Sequence, residues 1–363
     1  METIEISTPS KSYPVFIGRN AATYMPDFIR ENFSQVGKIL IITDEKVANL
    51  HLHTVKELLS GTGIPVLEYV VPEGEHAKTF DVFYECQSYA LSHNLNRKSM
   101  IVALGGGAVG DLAGFVAATF MRGIPFIQVP TTLLAHDSAV GGKVAINHPQ
   151  GKNMIGVFYQ PEAVFFDVSF LETLPPRELR SGFAEVVKEA LIQDQEFYKW
   201  LLSNVSRLDS LSEVQLLHMI KRGIEIKAAI VSEDEKEAGV RAYLNLGHTL
   251  GHAIEGLAGY GKIAHGEAVM IGTIFALHLS MKKTRLDFNI EEFIHWAESL
   301  GYQTGIHEGF NNQDMLSFMK RDKKVTGDNV TFVLLEKVGS PKLENLSDNE
   351  IIENLSTMYT KRK

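Results

Sequence analysis

The residues best suited to chemistry lie at 244–267, where Leu-Asn-Leu-Gly-His-Thr-Leu-Gly-His-Ala-Ile-Glu runs on to His-Gly-Glu. His248 and His252 are four residues apart, so a helix carrying them presents both on one face. His265 follows a turn containing Gly256, Gly259 and Gly261, which lets a second helix fold back on the first. Neutral imidazoles are borderline ligands that suit zinc. The plainer reading makes His248 and His252 satisfied core histidines at small-residue helix contacts, and spacing alone does not separate the two. No Glu follows His248, so the His-Glu-x-x-His pattern of metalloproteases is absent. Glu185, in Ser-Gly-Phe-Ala-Glu-Val-Val-Lys, sits among apolar neighbours where a carboxylate is costly unless paired or coordinated. Lys188 can pair with it. Alternatively Glu185 completes a set with His248 and His265, and three protein ligands leave a coordination position open to substrate.

A second signal is Gly105-Gly106-Gly107-Ala108-Val109-Gly110-Asp111, which follows a predicted strand and opens a predicted helix. Glycines there bring backbone amides close to a pyrophosphate at the positive helix end. The spacing is not Gly-x-Gly-x-x-Gly, and a tight strand–helix packing turn explains it as well. Asp44, ending Ile-Ile-Thr-Asp, suits either a helix N-cap or a ribose hydroxyl. Arg122, Lys143, Lys152, Lys188, Lys227, Arg241 and the Lys323-Lys324 pair supply cations. Each alone is a solvated charge. Lys143, Lys152 and Arg241 lie in Gly- or Asn-rich loops, and a cleft gathering them would suit a substrate with phosphate and carboxylate.

The elements that must position these groups follow from the apolar pattern. Strands are predicted at 38–43, 64–71, 100–104 and 125–129, with helices near 46–60, 78–93 and 108–121. Strands that read as continuous apolar runs between helices imply a parallel sheet covered on both faces, with ligands beyond its carboxyl ends. From residue 176 the pattern is helical, near 178–193, 195–203, 212–231, 246–257, 265–282, 290–300 and 312–319. A hairpin follows at 329–344 and a last helix near 347–359. The expected architecture is therefore an α/β domain at 1–175 and an α-helical domain at 176–363, with a small-molecule cleft between them. The chain has 363 residues, 45% of them hydrophobic, as in ordinary globular proteins. Its net charge of −9 argues against nucleic acid as the main partner. Cys86 is the single cysteine, which excludes an intramolecular disulfide and a cysteine zinc site. Residues 100–121 mimic a membrane span with Asp111 as their one charge, but a buried strand, turn and helix explain them better. A cytoplasmic protein with no membrane partner is expected.

Assembled, these segments resemble the 3-dehydroquinate synthase family. The likeness runs through Pro-Glu-Gly-Glu-His-Ala-Lys-Thr (72–79), the stretch 104–123, Gln-Val-Pro-Thr-Thr-Leu-Leu-Ala (128–135) and Asp-Ser-Ala-Val-Gly-Gly-Lys (137–143). It continues through Gly-Lys-Asn (151–153), Gly-Phe-Ala-Glu-Val-Val-Lys (182–188), 241–255, His-Gly-Glu-Ala-Val (265–269) and Asp-Lys-Lys (322–324). One departure is a loop, Leu-Leu-Ala-His-Asp-Ser, one residue shorter than many members carry.

The resemblance implies a Rossmann-like N-terminal domain, a helical metal-binding C-terminal domain, and a homodimer. It implies NAD and a divalent metal, zinc or else cobalt, and a phosphorylated sugar acid as substrate. By position, Glu185, His248 and His265 match metal ligands. Asp44, Glu73, Glu75, Lys78, Gly106, Gly107, Ala108, Val109, Gly110, Asp111, Thr131, Thr132, Lys143, Lys152 and Thr173 match the NAD site. Asp137, Lys143, Lys152, Asn153, Lys188, Lys227, Arg241, Asn245, His252 and one of Lys323 or Lys324 match the substrate pocket. Arg122 matches an arginine that reaches the neighbouring subunit. The implied reaction converts 3-deoxy-D-arabino-heptulosonate 7-phosphate into 3-dehydroquinate and phosphate. Transient oxidation at C5 acidifies the C6 proton, phosphate leaves, the hydride returns, and the opened ring closes by an aldol step. A metal-dependent NAD polyol dehydrogenase is the rival, needing the same metal but fewer cations.

Overall fold

The computed structural model describes residues 1–259, 261–321, 325–326 and 329–359. Two compact units partition it: residues 1–175 with 216–236, and residues 176–215 with 237–363. The first division therefore follows the proline pair at 175–176, but 216–236, expected with the helical half, joins the α/β unit. Side chains explain the return. Within that segment Lys227 Nζ lies 3.2 Å from Asp137 Oδ1. Glu235 accepts from Ser10 N (3.1 Å), Thr8 Oγ1 (3.1 Å) and Gln160 Nε2 (2.8 Å).

The first unit is built on a seven-stranded sheet. In chain order the elements are β1 (Glu2–Ser7), β2 (Ser12–Gly18), β3 (Lys38–Asp44), β4 (Val66–Val71), β5 (Ser99–Gly105), β6 (Phe126–Pro130), β7 (Lys143–His148), β8 (Gly151–Phe158) and β9 (Ala163–Asp167). The sheet order is β1-β2-β9-β6-β5-β3-β4, and β7 and β8 form a separate hairpin. All sheet pairings are parallel except β1 with β2. The four predicted strands are β3 to β6. Their side chains alternate between two cores, Leu40, Ile42, Ile101 and Ala103 on one face, and Ile39, Ile41, Met100 and Val102 on the other. With both faces covered, β3 and β5 read as nearly unbroken apolar runs. The membrane-like stretch resolves into β5 and the buried helix Gly107–Thr119. Among the described residues no helix is long and apolar enough to cross a membrane.

Strand β3 lies between β4 and β5, so the connection after β3 runs to β4 on one side and that after β5 runs to β6 on the other. That reversal is a topological switch point, and a crevice opens at the carboxyl ends of the two central strands. Asp44 ends β3 and Gly105 ends β5, so they flank it.

The second unit is mainly helical. Helix His265–Lys283, buried along nearly its whole length, packs on helices Pro176–Gln193 and His248–Ala258. Strands β10 (Val325–Thr326), β11 (Asn329–Lys337) and β12 (Ser340–Leu346) form a small antiparallel sheet beside it. Ser280 Oγ accepts from Leu335 N at 2.9 Å, tying helix to sheet. Helix Ile290–Ser299 is anchored by Trp296, whose indole donates to the Val205 carbonyl at 2.8 Å.

Candidate active site

In the second unit three helices converge because glycines let them. Gly247 has φ of +80°, and a Cβ there would lie 2.4 Å from Thr273 Oγ1, so only glycine fits. It starts helix His248–Ala258 with His248 in the first position. A Cβ on Gly266 would sit 1.9 Å from the Ser181 carbonyl oxygen, so His265–Lys283 approaches Pro176–Gln193 backbone to backbone. Arg180 on the latter bonds Glu267 Oε1 at 2.5 Å, and Glu267 Oε2 accepts from Ala264 N at 3.3 Å. This pins the start of the helix that carries His265.

The outcome is a convergent donor set. Glu185, 1% exposed, points Oε1 at His265 Nε2 (3.3 Å) and His248 Nε2 (3.5 Å). The other ring nitrogens are anchored: His248 Nδ1 to the Leu246 carbonyl at 3.2 Å, His265 Nδ1 to Glu255 Oε2 at 3.0 Å. Donors sharing a tetrahedral ion at zinc-like bond lengths of about 2.0–2.2 Å stand roughly 3.3–3.5 Å apart. The observed separations are those of ligands around a common ion, and the donor set fits a divalent cation. Lys188 Nζ meets the second oxygen of Glu185 at 2.5 Å, so Glu185 is paired as well as poised to ligate.

Electrostatics divide the histidines. Burial carries His248 well below its ordinary pKa despite Glu185, with Lys188 and the neighbouring imidazoles adding to the effect. Burial also opposes charge on His265, but Glu255 and Glu185 outweigh it and push its pKa up to about 9. His252 stands beside the set, its ring centre 5.3 Å from that of His248. Arg241 is 1% exposed, and Asn245 donates to Glu237 Oε1 at 3.0 Å.

In the first unit a polar network occupies the carboxyl end of the sheet. The segment Gly74–Lys78 follows β4, and its Lys78 bonds Asp111 Oδ2 at 2.6 Å and also the Asn153 side chain. Glu75 meets Lys152 Nζ at 3.1 Å and accepts from Asn147 Nδ2 at 2.7 Å. Burial opposes ionisation of Glu75, yet Lys152, Lys78 and Asn147 outweigh it and hold its carboxyl below the usual range. Hairpin β7–β8 delivers Lys152, Asn153 and Asn147, and Asn147 Oδ1 accepts from Asn153 N at 3.0 Å. Lys143 starts β7, at the other end of the hairpin from Lys152.

Gly106, Gly107, Ala108, Val109 and Gly110 form the turn and first helical residues after β5. A Cβ on Gly106 would come within 2.9 Å of Thr132, and one on Gly107 within 3.0 Å of Ser138, so the backbone of the turn lies close against these side chains and leaves no room for a larger residue. The Thr131 and Thr132 hydroxyls are buried without a hydrogen-bond partner among the described residues. Orphaned hydroxyls beside a glycine turn that opens a helix at a switch point fit the diphosphate of a dinucleotide. Asp44 caps the following helix by accepting from Val47 N at 2.9 Å, and burial, with exposed Glu73 adding to it, raises its pKa. A carboxylate keeps acceptor capacity beyond one cap, so capping does not preclude a ribose contact. Thr173 bonds His51 Nε2 at 2.9 Å. Lys227 meets Asp137, and Arg122, exposed, has φ of +72°. Lys323 and Lys324 lie outside the described residues. Sequence reasoning did not single out Asn147, His51 or Glu255. Glu255 alone had a signal, seven residues after His248 and three after His252, on the same helix face.

Comparison with known proteins gives these sites a context. Residues 68–181 match the family model for the 3-dehydroquinate synthase N-terminal region, and 182–325 the one for its C-terminal region. The 3-dehydroquinate synthase of Geobacillus thermodenitrificans is 51% identical over 348 residues, covering 96% of this chain and 95% of that protein. That of Halalkalibacterium halodurans is 50% identical, covering 98% of each. A crystal structure of 2-deoxy-scyllo-inosose synthase with carbaglucose-6-phosphate, NAD+ and Co2+ matches with a TM-score of 0.89 at 28% identity, over 98% of this chain and 100% of that one. Glycerol dehydrogenase from Schizosaccharomyces pombe, at 16% identity and a TM-score of 0.64 over 95% and 88% of the two chains, shares the fold alone.

Proposed function

The chain belongs to the 3-dehydroquinate synthase family, and from that premise we propose how its own residues divide the work. The reaction is the conversion of 3-deoxy-D-arabino-heptulosonate 7-phosphate into 3-dehydroquinate and phosphate, a carbon–oxygen lyase step of the shikimate pathway. The observation that carries the residue assignment is the convergence of Glu185, His248 and His265, their donor atoms all within 4.8 Å of one another.

Those three residues would hold a divalent cation, zinc in our reading, with cobalt as the substitute. Gly106 to Asp111, Thr131, Thr132, Asp44, Glu73, Glu75, Lys78 and Thr173 would hold NAD. When bound, the cation supplies a Lewis acid that makes a hydroxyl acidic and polarises a ketone. When bound, NAD supplies a reversible store for one hydride, so oxidation at C5 leaves no net redox change.

The remaining steps belong to side chains. His252, one turn beyond His248, is the group that takes and returns the C5 hydroxyl proton. Lys152, Asn153 and Lys188 grip the phosphate, whose own oxygen removes the C6 proton. Lys227 and Arg241 meet the carboxylate, and Asp137, Lys143, Asn245 and a lysine at 323 or 324 complete the contacts. Orientation by so many charge-assisted bonds supplies much of the rate. The enzyme acts in the cytoplasm as a homodimer in which Arg122 reaches the partner's site.

The test is to incubate the purified protein with the heptulosonate phosphate and follow phosphate and absorbance at the NADH wavelength. Phosphate release that requires NAD, without accumulating NADH, is expected. NADH accumulation from a simple polyol with no phosphate released would instead support a dehydrogenase. Glu185→Ala should lower turnover by about a thousandfold and strip the metal, and retention of both would refute the ligand assignment.

A further inference from the structure

We infer that Glu255 is a positioning residue that fixes the ring orientation and tautomer of His265. The inference rests on the metal-site reading above and extends it to a side chain outside the ligand set.

His265 is the first residue of its helix and follows a glycine-rich turn that ends at Gly261. His248 has its Nδ1 fixed by a backbone carbonyl, that of Leu246. His265 uses a carboxylate for the same purpose, Glu255 Oε2 at 3.0 Å from Nδ1. Glu255 is only 4% exposed and sits on helix His248–Ala258, the helix that carries His248. One helix therefore supplies a ligand directly and aims another through its ring.

A hydrogen bond from Nδ1–H to a carboxylate leaves the Nε2 lone pair on the Glu185 side, where the distance is 3.3 Å. It also adds negative charge behind the ring and so strengthens the nitrogen as a donor. A competing arrangement uses His252, Glu255 and His265 as a second cation site, since their donor atoms also fall within 4.8 Å of one another. The distances favour the positioning role. At 3.0 Å, Glu255 and Nδ1 are at hydrogen-bond separation, and shorter than the roughly 3.3–3.5 Å of donors sharing one tetrahedral ion.

The experiment compares Glu255→Ala, Glu255→Gln and His248→Ala with the parent protein. Each is freed of metal and titrated with Zn2+ against a chromophoric chelator. Metal content per chain, the Co2+ absorption spectrum and the thermal midpoint of the metal-free protein are also recorded. Loss of a positioning carboxylate should weaken Zn2+ binding roughly 10- to 100-fold. Glu255→Gln should lose less than Glu255→Ala, because its amide oxygen still accepts from Nδ1–H. The Co2+ band should shift, stoichiometry should stay at one, and the Glu255→Gln midpoint without metal should stay close to that of the parent. Unchanged Zn2+ affinity in both Glu255 variants, with His248→Ala impaired, overturns the positioning role alone. A second Zn2+ per chain that vanishes in Glu255→Ala makes Glu255 a ligand and overturns it too. Parent-like affinity in His248→Ala would instead bring down the metal-site reading.

Discussion

Thr131 is almost fully buried, its amide bonds the Gly105 carbonyl at 3.0 Å, and its hydroxyl meets no acceptor or donor among the described residues. A buried hydroxyl without a partner costs about 1 kcal/mol or more, so its retention points to a ligand that satisfies it. Thr131→Val keeps the shape and removes the orphan, which gives opposite signs in two measurements. Without NAD, the melting midpoint should rise by about 2–4 °C, and NAD affinity by calorimetry should fall roughly two- to tenfold. A midpoint that falls, or an affinity that holds, would refute the assignment. The same ambiguity runs through the residues that were legible in the sequence. Glu185 looked either paired or ligating; one oxygen meets Lys188, and the other faces His248 and His265, where we propose the cation. Asp44 looked like a cap and is one. Glu255 shares a helix face with His248 and His252, but its partner His265 is ten residues away across a turn, and that hydrogen bond leaves no periodic trace of its own.

Elements were legible where one physical pattern dominated them. Strands β3, β5 and β6 are buried on both faces and read as apolar runs, β4 is a half-buried edge strand that remains mostly apolar, and a helix such as Ile290–Ser299, with Phe293, Trp296 and Ala297 buried, shows its periodicity. Strands β1, β2 and β9 were not anticipated: β1 alternates with mostly exposed side chains and β2 carries Pro14, which weakens any strand pattern. Hairpin β7–β8 was also missed, because every residue of β8 from Asn153 to Phe158 is exposed and offers no buried face to read. The close helix approach was written in glycines whose purpose only the packing reveals. Gly266→Ala places a methyl where the Ser181 carbonyl oxygen stands, 1.9 Å from its Cβ. The helix must back away, carrying His265 from Glu185. Overpacking of this kind costs about 1–3 kcal/mol, so the variant should melt lower and bind Zn2+ at least tenfold more weakly. Gly261→Ala, whose added Cβ would meet nothing within 4 Å, changes the turn without that clash. Its φ of +87° brings strain of its own, so it should lose stability while losing less metal affinity than Gly266→Ala. Equal loss of metal in the two would remove the argument from close packing.

At the scale of the whole molecule the chain passes from one unit to the other three times, after residues 175, 215 and 236. A sequence divides most readily into consecutive blocks, and a helix that returns to the first unit looks no different from its neighbours in the second. What draws it back is a set of contacts distant in sequence, Lys227 with Asp137 and Glu235 with Thr8, Ser10 and Gln160. Cys86 offers a way to weigh that contribution. It is the single cysteine, fully buried in the core of the first unit, and burial pushes its thiol up to about 12. At pH 8 such a thiol is ionised roughly a thousandfold less than an exposed one near 8.5. Reaction with a thiol reagent therefore waits for the first unit to open. In the full chain labelling should be slow, should reach one equivalent in denaturant, and should slow about 100-fold further at an NAD concentration 100 times its dissociation constant. A fragment ending at residue 175 lacks the returning helix and leaves its partners exposed. Its Cys86 should label at least tenfold faster than in the full chain, with little protection by NAD. Equal rates would mean that the first 175 residues fold on their own, and that the returning helix rests on a unit already complete.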